Sequence, residues 1–143
     1  CVGSSGIPSG VNYGRTANEI VCNLRLLTAN CIEPIKAKYP NIKITSAWRS
    51  EADNVRVGGS KTSDHLSGQA IDFQLSGFNR KQHYDSIIEI QKMLPAYKQL
   101  ILEYKGSTTW IHISFDINNN KMQALTIDAA VNKTLKSGGY VLV

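Results

Sequence analysis

The strongest constraint on this chain is a carboxylate set in an apolar strand. Asp72 lies within Ala70-Ile71-Asp72-Phe73, a short run that reads as buried strand and offers the acid no neighbouring cation. An unpaired carboxylate in such a place costs on the order of 5 kcal/mol or more, so a fold that buries it must bring it a cation. Two histidines flank it in sequence. His65 comes first, in Ser63-Asp64-His65-Leu66-Ser67-Gly68-Gln69-Ala70-Ile71-Asp72, and His112 follows in Trp110-Ile111-His112-Ile113-Ser114-Phe115. Alternation in the second segment puts Ile111, Ile113 and Phe115 on one face and Trp110, His112 and Ser114 on the other. One face serves a core and the other looks into a cleft.

Two neutral imidazoles and one carboxylate suit one Zn2+ ion, and three protein ligands leave a position for a water whose pKa the metal lowers to about 7. Structural zinc sites usually fill all four positions, often with cysteine. Here Cys1, Cys22 and Cys31 lie away from these segments. Gly68 and Ala70 allow the chain between the first two ligands to turn tightly and pass close to an ion. Taken singly, His65 also reads as a loop histidine, His112 as a half-buried strand histidine and Asp72 as a turn or cap residue. The combination is what points to a metal.

The pattern Ser63-x-His65-x-x-Gly68-x-Ala70-x-Asp72, followed by Trp110-x-His112, resembles the zinc D-alanyl-D-alanine carboxypeptidase family. That family also holds peptidoglycan L-alanyl-D-glutamate endopeptidases, bacteriophage endolysins and vancomycin-resistance dipeptidases. The resemblance extends upstream through Ile44-Thr45-Ser46-Ala47-Trp48-Arg49-Ser50, Asn54 and Val57-Gly58-Gly59-Ser60, and downstream through Gln99-Leu100-Ile101-Leu102-Glu103-Tyr104, and covers about residues 16 to 125. It implies that His65, Asp72 and His112 hold the zinc and that the substrate is the peptide stem or cross-link of bacterial peptidoglycan. It also implies a role in phage-type lysis or wall penetration, within a virion or lytic protein or released from a host cytoplasm. Many family members carry an acid three residues before the third ligand. This chain departs from that pattern, with Thr109 there.

Zinc peptidases need a general base, and Glu103 is the candidate. If residues 105–108 turn a hairpin, Glu103 lies opposite Trp110 and shares the face of His112. A slip of one residue would reverse it and leave an edge-strand glutamate in water. Arg49, at the end of a strand, is positioned to grip a substrate carboxylate or an oxyanion, or else to pair with Glu51 or Asp53. Ser63 binds substrate, orients a ligand, or stands in water as a loop hydroxyl. The Trp48 and Trp110 rings line the cleft or fill the core; Trp110, on the ligand face, is the one expected to touch substrate. His83, in Arg80-Lys81-Gln82-His83-Tyr84-Asp85, reads as a solvated surface residue.

A chain of 143 residues with 42% hydrophobic content suffices for one domain with a proper core. It starts at Cys1 rather than methionine, so residues 1–14, rich in glycine and serine, read as a linker cut from a longer polypeptide, with the peptidase domain over 15–143. No stretch approaches the roughly 20 apolar residues of a membrane span. The net charge of +5 favours polyanions, including those of bacterial envelopes, but the scattered lysines and arginines argue against nucleic acid. As a domain the chain is expected to act as a monomer.

Thr16-x-x-Glu19 resembles a capping box opening a helix with Ile20, Leu24, Leu27, Cys31 and Ile35 inward, kinked or divided by Pro34. Cys22 and Cys31 are read as packed free thiols on its buried face. Strands are expected over 42–48, 69–75, 99–105 and 109–115, and a helix over 80–93 with Ile87, Ile88, Ile90 and Met93 inward. A long loop over 49–66 with only local structure has the character of a functional segment. Residues 122–127 read as an edge strand and 129–135 as a helix. The sum is an α+β domain: an antiparallel sheet with helices on one face and a zinc cleft on the other, a scaffold similar to that of D,D-peptidases and hedgehog signalling domains. That second likeness keeps a non-hydrolytic zinc-binding recognition module as the alternative function. A metal-free structural protein would require His65 and His112 to lie far apart.

Overall fold

The computed structural model describes residues 11–12 and 14–143, so most of the segment read as a linker lies outside the described residues. Val11–Asn12 (β1) pairs antiparallel with Arg15–Thr16 (β2). The predicted capping box then opens Ala17–Leu27 (α1): the Glu19 amide donates to the Thr16 hydroxyl and the Thr16 amide to the Glu19 carboxylate, each at 3.3 Å. The helix passes through a π-helical turn, Thr28–Ile32, into Glu33–Lys38 (α2). Pro34 explains the widening, because its ring has no N–H to donate and would strike the carbonyl four residues back in an α-helix. Ile20, Leu24, Leu27, Cys31 and Ile35 are all buried, as the spacing required. Cys22 corrects the reading of two packed thiols. It stands about 200° around the helix from Ile20 and is exposed. Burial pushes the Cys31 thiol up to about 12.

The main sheet comprises Ile42–Ser46 (β3), Ala70–Leu75 (β4), Gln99–Lys105 (β5), Thr108–Ser114 (β6), Gln123–Asp128 (β7) and Lys133–Ser137 (β8), in the order β3-β4-β6-β5-β7-β8. It is mixed rather than wholly antiparallel. After β6 the chain returns to the start of β5, so β7 runs beside β5 in the same direction, with Gln99 opposite Gln123. β7 is therefore interior, its Ala124, Leu125 and Thr126 buried. The edge belongs to β8, which occupies part of the stretch expected to be helical. The turn before it holds Asn132 at φ +54°, a left-handed conformation that stops a right-handed helix. Lys133 and Lys136 on this outer strand discourage edge-to-edge pairing.

Ile71, Phe73, Leu75, Leu100, Leu102, Ile111 and Ile113 join the inward residues of α1, α2 and Arg80–Met93 (α4) in one apolar cluster. In α4, Ile87 and Ile90 are buried, while Ile88 and Met93 are partly buried at its margin. The opposite face of β4 and β6 carries Asp72 and His112. The 49–66 segment contains one short helix, Glu51–Arg56 (α3), and leads into a 3-10 turn, Asp64–Ser67. No helix among the described residues is long and apolar enough to cross a membrane.

His83 overturns its sequence reading, being only 3% exposed. Its ring ties the first turn of α4 to the end of β4: the Leu75 amide donates to Nε2 at 3.0 Å, and Nδ1 lies 2.9 Å from the Asn79 carbonyl. A carbonyl only accepts and an amide only donates, so these partners fix the neutral tautomer with its proton on Nδ1. A second proton would face the Leu75 N–H. Burial lowers the pKa of His83, against a smaller raising effect from Asn79. A histidine with its folded pKa below the unfolded one leaves the unfolded state binding more protons. Its contribution to stability is therefore complete above about pH 6.5 and falls away as pH drops toward the depressed folded value. Urea unfolding between pH 7.5 and 5 should show this decline, and His83→Gln should flatten that part of the slope even where it lowers stability overall.

Candidate metal centre

Antiparallel pairing of β4 with β6 puts Asp72 directly opposite His112, and the 3-10 turn brings His65 over the same face. Asp72 Oδ1 lies 2.9 Å from His112 Nδ1, and Asp72 Oδ2 lies 3.2 Å from His65 Nε2. The two imidazole centroids are 5.2 Å apart. That distance removes the metal-free reading in which the histidines are remote. His65 Nδ1 sits 2.7 Å from the Ala47 carbonyl, which accepts its proton and so fixes the ring with Nε2 presented to Asp72. Ligand atoms at about 2.0–2.1 Å from a tetrahedral zinc are roughly 3.3 Å from one another. One ligand atom from each of His65, Asp72 and His112 meets the others within 4.8 Å, and both the spacing and the donor chemistry fit such an ion.

Burial alone would raise the Asp72 pKa, but hydrogen bonds from His112 and His65 and their charges hold it well below the usual carboxylate range. For His112, burial opposes the proton and the Asp72 carboxylate favours it; the carboxylate prevails and the pKa is raised. The strand carboxylate thus has its partners.

Several contacts hold His65 in place. Ser63 caps the 3-10 turn, its hydroxyl accepting the His65 amide at 3.3 Å, and the Arg49 amide donates to the His65 carbonyl at 3.0 Å. Asn23 on α1 donates to the Ser67 carbonyl at 2.9 Å, and Lys98 pairs with Asp64 at 2.7 Å. Gly68 ends the turn at φ +71°, where a Cβ would come within 2.6 Å of the Ile20 carbonyl oxygen. The sequence reading has this glycine pass close to an ion; its close approach is to the backbone of α1.

Glu103 on β5 pairs with Trp110, and Ile101 with His112, so Glu103 projects on the metal-site face as the hairpin register requires. Burial is the main cause that raises its pKa; the Asp72 charge adds to this, while His112 and the Trp110 hydrogen bond work against it. Thr109 has the opposite parity. It is buried against α4, where the Arg80 guanidinium donates to its hydroxyl at 3.0 Å, so an acid at that position would point away from the site. Trp110 lines a hollow of about 250 Å³ with Thr45, Asp72, Gln74 and Thr108. Trp48 instead fills the core at 3% exposure.

Sequence reading missed the residue that holds Arg49. Asn54, 1% exposed, accepts from Arg49 Nη1 at 3.2 Å and donates to the carbonyls of Gly59 and Ser60 at 3.2 and 3.0 Å. A Cβ on Gly59 would lie 2.1 Å from the Asn54 Oδ1. The glycine pair after an asparagine was the available signal. Lys98, just before the Gln99–Tyr104 stretch, carried none.

An α+β domain presenting two imidazoles and a carboxylate beside a half-buried glutamate has the make-up of a mononuclear metal-dependent hydrolase. The family model described as Peptidase M15 matches residues 7–114, which include all three donor residues, and the chain belongs to that family. It is accordingly a metallopeptidase, and peptidases of this family depend on zinc. No curated protein matches the chain.

Gly68→Ala tests how the turn is built. The left-handed conformation and the contact with the Ile20 carbonyl together should cost about 2–3 kcal/mol, or roughly 5–10 °C in thermal midpoint. Calorimetry of the purified variant measures this, and a midpoint equal to the wild type's would contradict the close packing of the turn on α1.

Proposed function

We propose that this chain is a zinc-dependent peptidoglycan peptidase that cleaves an amide bond in the peptide stem or cross-link of the bacterial wall, in phage-type lysis or wall penetration. The observation that carries this reading is the placement of Glu103 on the face shared by His65, Asp72 and His112. A module that only recognised its target would have no use for an acid aimed at that site, and this favours the hydrolase over the recognition reading.

In the proposed centre His65 Nε2, the Asp72 carboxylate and His112 Nδ1 hold one zinc ion. When bound, zinc supplies Lewis acidity, polarising the amide carbonyl and acidifying water to a pKa near 7. Glu103 takes the proton from the attacking water and returns it to the leaving amine, a shuttle favoured by a carboxyl whose pKa is raised toward the working pH. The Trp110 indole holds that carboxylate in position. Arg49, fixed by Asn54, meets a substrate carboxylate or the developing oxyanion. The hollow beside Trp110 seats substrate, and Ser63 keeps the His65 turn in register. The domain acts as a monomer within a virion or lytic protein.

Dialysed wild-type protein should retain one equivalent of zinc by elemental analysis. Zinc at a hundred times its Kd should add about 2.7 kcal/mol of stability, and neither effect should survive in His65→Ala or Asp72→Ala. Purified peptidoglycan incubated with the protein should release fragments identifiable by mass, and a chelator should abolish the release. Glu103→Gln should retain zinc while losing about 10²–10⁴ in kcat. Equal rates for wild type and variant would remove Glu103 as the base; zinc binding with no fragment from either protein would support the recognition module.

A further inference from the structure

A polar cavity of about 270 Å³ adjoins the His65 turn on a side that the proposed chemistry does not use. In a 3-10 turn, residues three apart eclipse and a neighbour points about 120° away. Asp64 and Ser67 both line the cavity, so they share one side of the turn while His65 projects from another. The cavity therefore shares its wall with the first metal-site histidine.

Three cations, Arg15, Lys61 and Lys98, face two carboxylates, Asp64 and Asp116. Lys98 is neutralised by Asp64 at 2.7 Å, and Asp116 Oδ1 accepts the Asn118 amide within its own loop. Arg15 and Lys61 have no ion-pair partner among the described residues and lie exposed at the rim. Gln69 adds donors: its Oε1 accepts from the Ser67 hydroxyl, so its NH2 group is left to the cavity. Unpaired guanidinium, ammonium and amide donors around one recess make a receptor for a carboxylate.

We infer that this cavity is a substrate subsite that binds a free carboxylate on the peptide, away from the scissile bond, with Arg15 and Lys61 as its specificity-determining cations. The inference rests on the peptidase reading above. It would make the enzyme distinguish stem peptides with an ionised side carboxylate from those in which that group is amidated.

The test uses two synthetic stem peptides that differ only in this group, free carboxylate against carboxamide, with zinc-loaded wild-type protein and the double variant Arg15→Ala/Lys61→Ala. Wild type should favour the carboxylate peptide by about five- to tenfold in kcat/KM, the difference residing in KM. The double variant should lose this preference, and Lys61→Glu should reverse it, while zinc content stays at the wild-type value. Equal use of both peptides by wild type, or a preference retained in the double variant, overturns the subsite. If neither peptide is cleaved, the peptidase reading fails, and calorimetric binding of the same pair then decides the subsite by the same ratio.

Discussion

A half-buried carboxylate gripped by two imidazoles organises this molecule. Asp72 occupies the centre of a strand whose other face is part of the core, so it cannot retreat to water without unpairing β4 from both neighbours. Its charge must be met where it stands. His112 meets it across the ladder and His65 from above, and each histidine in turn demands support: cross-strand register for one, a capped turn anchored to α1 and to Lys98 ahead of β5 for the other. Much of the polar architecture of the 47–68 segment is the support required by the second of these. The same arrangement makes a receptor for a divalent cation, because atoms that satisfy a carboxylate at 2.9–3.2 Å are already near the spacing of ligands around a small ion.

The periodic parts of the fold were legible because each residue needed only its own element. The bounds of α4, the inward stripe of α1 and the Glu103–Trp110 pairing follow from alternation, capping residues and hairpin length. Failures arose where a partner in another element decided. His83 reads as polar because its neighbours are; the Leu75 amide makes its burial tolerable. Residues 129–135 suit a helix locally, but β7 offered an open edge that a strand could fill. Parallel pairing of β5 with β7 leaves no local trace, since no turn joins the two strands.

At the site, the donor residues were recognisable by type and spacing, while their supports were not. Asn54 and Lys98 act through backbone carbonyls and a neighbouring acid, and those contacts depend on the path of the loop. Thr109 illustrates the value of parity. Its strand sends it to the helix side of the sheet, while Glu103 on the adjoining strand keeps to the face of Asp72 and His112.

The position of β5 gives the C-terminal hairpin an importance that its distance from the metal-site residues conceals. Glu103 is backbone-paired on both flanks, with Trp110 on one side and Ile127 on the other. The family match stops at Ser114, short of β7. A protein trimmed to that boundary would keep every donor residue yet leave β5 with a bare row of amides and carbonyls, free to fray or to recruit a foreign strand. The last thirty or so residues thus act as a splint for Glu103.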